Sequence, residues 1–136
     1  MATIQLDPQR RTLKQSWSVE DAADLYHVRA WGNGYFDVND AGRVVVCPDA
    51  TFRRQVELLQ IVNAMQEQGL TTPLVIRFSD VLAHRLRHLY ESFAAAIAEN
   101  AYEGRYVAVY PIKVNQQRPV VAEIYRCGQS FDFGLE

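Results

Sequence analysis

Hydrophobic positions along the chain fall into two rhythms. Over 51–69, "TFRRQVELLQIVNAMQEQG", Phe52, Val56, Leu59, Val62 and Met65 recur every three or four residues, and Gly69 stands as a stop. That spacing predicts an amphipathic helix. A second helix is predicted over 81–100, capped by Ser79 and Asp80, with an apolar stripe of Leu82, Leu86, Leu89, Phe93 and Ile97. A third is predicted over 120–127, with Pro119 in its first turn and Gly128 beyond its end. Between the helices the apolar positions run together instead: "LVIRF" at 74–78, "YVAVYPIKV" at 106–114 and "SFDFGLE" at 130–136. Short continuous runs of this kind predict strands.

The front of the chain reads differently. Residues 1–15 are polar and without period, and are expected to form a mobile arm. Ser18, with Asp21 three residues on, predicts a helix start over "VEDAADLYHV", and Trp17 is placed to staple its entry. Two β-prone runs then flank Asn39-Asp40-Ala41-Gly42, a hairpin signal. From Leu74 onward strands alternate with helices, which predicts adjacent parallel strands at 74–78, 106–114 and 131–135. Three strands cannot close a barrel, which takes eight. The last strand also lacks a following helix, so the chain is expected to be the front end of something larger.

Composition narrows the class. The 136 residues are 49% hydrophobic and 22% charged, as in a globular domain. A net charge of -2 with scattered basic residues gives no electrostatic footprint for nucleic acid. No apolar run approaches membrane-spanning length, and no secretory h-region precedes the first helix. Cys47 and Cys127 lie far apart without metal or redox spacing. A soluble cytoplasmic protein with two packed thiols is the expectation.

Lys113 breaks the apolar run of 106–114. The plain reading is a strand-end lysine that buries its stem and extends its head into water. Two details point elsewhere. Pleat alternation would set Lys113 on one face with Val107, Val109 and Asn115. It also falls at the carboxyl end of its strand, where ligands bind in parallel α/β folds. Desolvation favours the neutral form of an amine, and a neutral amine is what attacks an aldehyde.

The segment "VYPIKVNQQR" resembles the cofactor-lysine segment of biosynthetic arginine decarboxylases. "WSVEDAADLYHVRAWGNGYFDVNDAGRVVV" resembles that family's N-terminal region, "TTPLVIRFSDVLAHRL" its first barrel strand and helix, and "FDFGLE" the start of its next strand-end motif. The resemblance covers nearly all of 16–136 and implies an α/β fold. Residues 73–136 would be the first βα units of an alanine-racemase-like β/α (TIM) barrel, incomplete in this chain. Residues 16–72 would supply a helix, a hairpin of the β domain and a lead-in helix. It implies decarboxylation of L-arginine to agmatine in polyamine synthesis, pyridoxal 5'-phosphate and Mg2+ as cofactors, and a homo-oligomer. By motif Lys113 would be the Schiff-base lysine, and Glu136 would fall near the cofactor. Family chains are several times longer. The glycine-rich phosphate cradle, the acidic ring partner and the guanidinium-recognising residues are missing, so the segment is expected to be inactive alone. "WGNGYF" offers only a G-x-G, more simply a turn.

Other residues have plainer readings. His84 and His88 are spaced i,i+4 but lie opposite the leucine stripe without a third ligand, so a solvated face is expected and no metal site is assigned. Arg77 is expected to pair with Asp80 or another carboxylate. Trp17, Trp31, Tyr35 and Phe36 read as core or interface anchors, and Asn115 as a strand-end turn residue beside the site. Two alternatives stay open: a shortened non-catalytic paralogue acting as an interaction module, and another barrel-type pyridoxal-phosphate enzyme such as a racemase or diaminopimelate decarboxylase. "WGNGYFDVND" favours the arginine enzyme over the latter.

Overall fold

The computed structural model describes residues 16–51 and 53–136. The expected arm at 1–15 and the Phe52 position of the first stripe lie outside these residues. Helix α1, Val19–Leu25, starts as its cap dictates. The Asp21 amide donates to Ser18 Oγ at 3.1 Å, and the Ser18 amide donates to the Asp21 carboxylate at 3.0 Å. Two amide donors at the helix start are satisfied reciprocally. Trp17 is 66% exposed, so the expected staple does not form. The helix also stops earlier than predicted. His27 takes a left-handed φ of 51°, and a short helix α2 follows over Val28–Gly32.

The hairpin forms where the sequence places it. Strands β1, Phe36–Val38, and β2, Val44–Val46, pair antiparallel with Phe36 opposite Val46. Asn39 Oδ1 accepts the amides of Ala41 and Arg43, and Gly42 takes the positive φ of 73° that the turn requires. The core of this half centres on β2: Val45, Val46 and Cys47 are fully buried, and Ala23, Val28 and Tyr35 are buried as well. Burial also raises the pKa of the Cys47 thiol.

The next helix starts later than its period suggests. Val56–Glu57 form a strand, β3, on the far edge of β2, and helix α3 covers only Leu58–Glu67. The reason is non-local. Val56 completes a ladder with Val46, while the Glu57 carboxylate accepts Arg43 Nη1 at 2.8 Å and Asn39 Nδ2 at 2.9 Å. The Arg43 bond holds the Glu57 carboxyl below the usual glutamate range.

The second half contains α4, Ser79–Glu99; β4, Ala108–Tyr110; α5, Arg118–Gly128; and β5, Phe133–Leu135. Strands β4 and β5 pair in parallel, and α4 packs on α5. Phe93 stacks on Tyr106 at 4.0 Å and Tyr90 on Phe131 at 4.8 Å. Ile124, on α5, is buried. Among the described residues there are two sheets, β1-β2-β3 and β4-β5. Three adjacent parallel strands were expected; residues 74–78 instead have no ladder partner, and Val75 is 78% exposed. An apolar run supplies side chains for a sheet face, but pairing is decided by a neighbouring edge in register. The architecture is mixed α/β. Among the described residues no helix is long and apolar enough to cross a membrane.

The two halves differ in burial. Hydrogen exchange on the isolated chain is expected to show the strongest protection at Val44–Cys47 and the least at 74–78, where no backbone ladder shields the amides. Thermal unfolding should be broad and accompanied by association, because Val75, Val109 and Val114 stay in water. One sharp transition of a soluble monomer with uniform protection would contradict this.

Candidate functional site

The candidate site lies where β4 and β5 end. Their register sets Ala108 beside Phe133, Val109 beside Gly134 and Tyr110 beside Leu135, so both carboxyl ends reach the same level. The ladder then continues one step past the strands. The Glu136 amide donates to the Tyr110 carbonyl at 3.1 Å, and the Ile112 amide donates to the Glu136 carbonyl at 2.7 Å. Pro111, at φ -78°, has no amide to extend β4, and the chain bends into a 3-10 turn over Ile112–Val114 closed by Val114 N–H to the Pro111 carbonyl at 3.0 Å. Lys113 is the middle residue of that turn.

This corrects the sequence reading in two respects. Lys113 stands after the strand, not within it, so pleat alternation with Val107, Val109 and Asn115 does not apply. It is exposed, and its neighbour Val114 is 71% exposed, so the described residues do not build the expected apolar surroundings. No described residue engages the Lys113 side chain in a hydrogen bond or ion pair. Glu136, also exposed, is brought to the turn through its backbone.

The far side of the turn is braced as well. The Tyr110 hydroxyl donates to the Asn115 carbonyl at 3.3 Å. Asn115 Oδ1 accepts the Gln117 amide at 3.1 Å, an Asx turn that leads straight into α5. The position of α5 is fixed in turn by Ile124 and by Gly128, which lies against the Phe133 ring. On α5 the Glu123 carboxylate pairs with Arg126, which lowers the Glu123 pKa, and accepts the Cys127 thiol at 3.4 Å. Burial raises the pKa of that half-buried thiol. An open, mainly apolar groove lined by Phe36, Phe78, Leu82, Pro119 and Val120 reaches Asn115 from the other side.

The remaining candidates sort plainly. His84 is not on a solvated face: its Nδ1 lies 2.7 Å from the Tyr35 hydroxyl, half-buried, joining α4 to the hairpin unit. His88 is exposed and stacks on the His84 ring. Among the described residues no group of three or more His, Cys, Asp or Glu side chains converges as a metal site requires. Asp80 lies 3.7 Å from Arg54, in the loop before β3, and not in the pair expected with Arg77. Trp31 is 56% exposed, with its indole N–H on the Tyr26 carbonyl at 3.1 Å, so of the four anchors Tyr35 alone is fully buried. Tyr110 was not singled out from the sequence; its signal is an aromatic residue just before a proline at the strand's end.

The residues present fit an aldehyde-bearing cofactor in one respect. An accessible, unpaired amine sits at the carboxyl end of a parallel strand pair. The described residues supply no glycine-rich cradle for a phosphate and no converging metal ligands.

No family model matches the chain. Among curated proteins, it is 46% identical over 122 residues to the biosynthetic arginine decarboxylase of Gloeobacter violaceus, covering 90% of this chain and 19% of that protein. It is 46% identical over 121 residues to that of Chromobacterium violaceum, covering 89% and 19%. Among solved structures, the crystal structure of the biosynthetic arginine decarboxylase SpeA from Campylobacter jejuni superposes with a TM-score of 0.73 at 29% identity, over 81% of this chain and 18% of that one. The chain spans about a fifth of the length of the relatives it matches. Over nine-tenths of itself it is homologous to a segment of those proteins.

The geometry makes Gly128 a control point. A Cβ there would lie 2.6 Å from Phe133 Cγ and 2.9 Å from its Cβ, too close without moving β5. Gly128→Ala is expected to destabilise the β4–β5 pair by about 1–3 kcal/mol. Exchange should accelerate at the Ala108 and Ile112 amides, which donate to Asp132 and Glu136. Unchanged exchange at both would contradict the coupling.

Proposed function

We propose that this chain is the N-terminal segment of an arginine decarboxylase, and that Lys113 is the residue through which the enzyme holds pyridoxal phosphate. Residues 73–136 would contribute the first βα units of a β/α barrel, and 16–72 the helix, hairpin and lead-in helix before it. The reaction is L-arginine to agmatine and carbon dioxide: the bond from Cα to the carboxylate breaks, and a proton takes the carboxylate's place. The enzyme would work in the cytoplasm as a homo-oligomer. The observation that carries the proposal is a conjunction. A chain homologous to these decarboxylases presents its only lysine among the described residues, Lys113, on a turn laced to Glu136 at paired strand ends.

Pyridoxal phosphate, when bound, supplies an aldehyde that bonds amines and a ring that accepts the electron pair left by a departing carboxylate. Lys113 would hold it, because a lysine amine is the nucleophile that bonds an aldehyde reversibly. The same Nζ, when not bonded to the cofactor, would be able to move a proton at the site. Glu136, one step beyond β5, would orient Lys113 through the backbone bonds its main chain makes to Tyr110 and Ile112. The described residues do not build the water-excluded pocket such chemistry needs: among them Lys113 is open to solvent. The segment alone is therefore proposed to be inactive, the remaining walls coming from parts of the barrel beyond this span. Mg2+ belongs to the proposal only for the whole enzyme.

The test uses a chimaera in which this chain replaces the matching segment of the Gloeobacter violaceus decarboxylase. With pyridoxal phosphate and borohydride, the reduced label is expected on the peptide containing "YPIKVNQQR", one per subunit, and to vanish in Lys113→Ala. In the 136-residue chain alone, labelling should be weak and shared with Lys14, its only other lysine. Label elsewhere in a folded chimaera would overturn the assignment. Stoichiometric label on Lys113 in the isolated chain would contradict the incomplete site.

A further inference from the structure

We infer that Tyr110 is a positioning residue of this site: its hydroxyl, bonded to the Asn115 carbonyl, sets the pitch of the turn that presents Lys113. The inference rests on the proposed role of Lys113. A lysine side chain is a long flexible stem, so where its nitrogen spends its time depends on the backbone beneath it. That backbone is a three-residue 3-10 turn, a geometry with poor hydrogen bonds. Burial does not hold it, since Lys113 and Val114 are both exposed.

Hydrogen bonds must therefore hold the turn, and each does a separate part. The entry is fixed by the ladder to Glu136, at 2.7 and 3.1 Å. The interior is closed by Val114 N–H to Pro111. The exit, at Asn115, is tied back to the entry by one side chain among the described residues, Tyr110. Its ring is a stiff arm, because its own backbone lies in register with Leu135 and accepts from Glu136. The Asn115 side chain points the same restraint onward, by capping the loop into α5. Tyr110 thus links strand, lysine turn and helix through one hydroxyl, and it need not touch substrate to matter.

The experiment compares Tyr110→Phe and Tyr110→Leu with the unmodified chimaera described above. Tyr110→Phe keeps the ring and removes only the hydroxyl. A misplacement of the lysine by about 1 Å is enough to cost up to about a hundredfold. Tyr110→Phe should therefore lower kcat by about tenfold to a hundredfold with KM little changed. It should slow borohydride labelling of Lys113 and shift the pH midpoint of the bound cofactor's absorption. In the 136-residue chain without cofactor, the Val114 amide should exchange about fivefold faster in Tyr110→Phe, with Val45 unaffected. A Tyr110→Phe protein that matches the parent in kcat, pH midpoint and Val114 exchange would overturn the inference. So would a normal Tyr110→Phe with an impaired Tyr110→Leu, which would mean that the ring packs and the hydroxyl does nothing. Absence of label on Lys113 in the unmodified chimaera would instead overturn the cofactor assignment, a separate failure.

Discussion

Parallel pairing of β4 with β5 is the constraint from which the candidate site follows. Without it Tyr110 and Leu135 would not end at one level, and Glu136 could not exchange backbone bonds with Tyr110 and Ile112. Those bonds lie beyond the strands themselves, where the chain has already left extended conformation at Pro111. They convert a strand end into a fixed platform for Lys113. The pairing depends in turn on a small contact, Phe133 seated on the Cα of Gly128 at the end of α5. A side chain at Gly128 would occupy the space the ring needs. One glycine, one ring and one register thus govern the placement of a lysine more than ten residues away.

The hairpin unit has a different kind of stability. Its centre is β2, paired on both edges and fully buried at Val45 and Val46, and closed by polar contacts at Asn39, Arg43 and Glu57. The Tyr35–His84 bond ties it to α4. The β4–β5 half leaves Val107, Val109 and Val114 in water, and the run at 74–78 unpaired. An apolar sheet face turned to solvent is one that a further layer would have to cover in a parallel α/β arrangement.

Features encoded within a few residues were legible in the sequence. The Ser18–Asp21 box, the Asn39–Gly42 turn, α4 and α5 all depend on local chemistry, and each formed close to its expected place, except that Ser79 and Asp80 lie in the first turn of α4 and do not cap it; Phe78 stands at the cap without a side-chain bond. Features decided at a distance were not. Val56 joined a strand because Val46 offered an edge, and His84 left the solvated face because Tyr35, 49 residues away, offered a hydroxyl. The run at 74–78 has strand composition but no partner. Lys113 is an intermediate case: the β-prone run of 106–114 reads as one strand, but Pro111, two positions before the lysine, has no amide for the ladder and ends it. The motif around Lys113 singled the residue out as a candidate; the turn on which it stands, and the Tyr110 bond across it, emerge only once β5 is in place.

The most direct measurement is release of labelled carbon dioxide from carboxyl-labelled L-arginine by the chimaera carrying this chain, with and without Lys113. The chimaera should release it, and Lys113→Ala should reduce the rate by a thousandfold or more, on the order expected for loss of a nucleophile. Arginine decarboxylation at an undiminished rate by a folded Lys113→Ala chimaera would contradict the role assigned to the turn between β4 and α5.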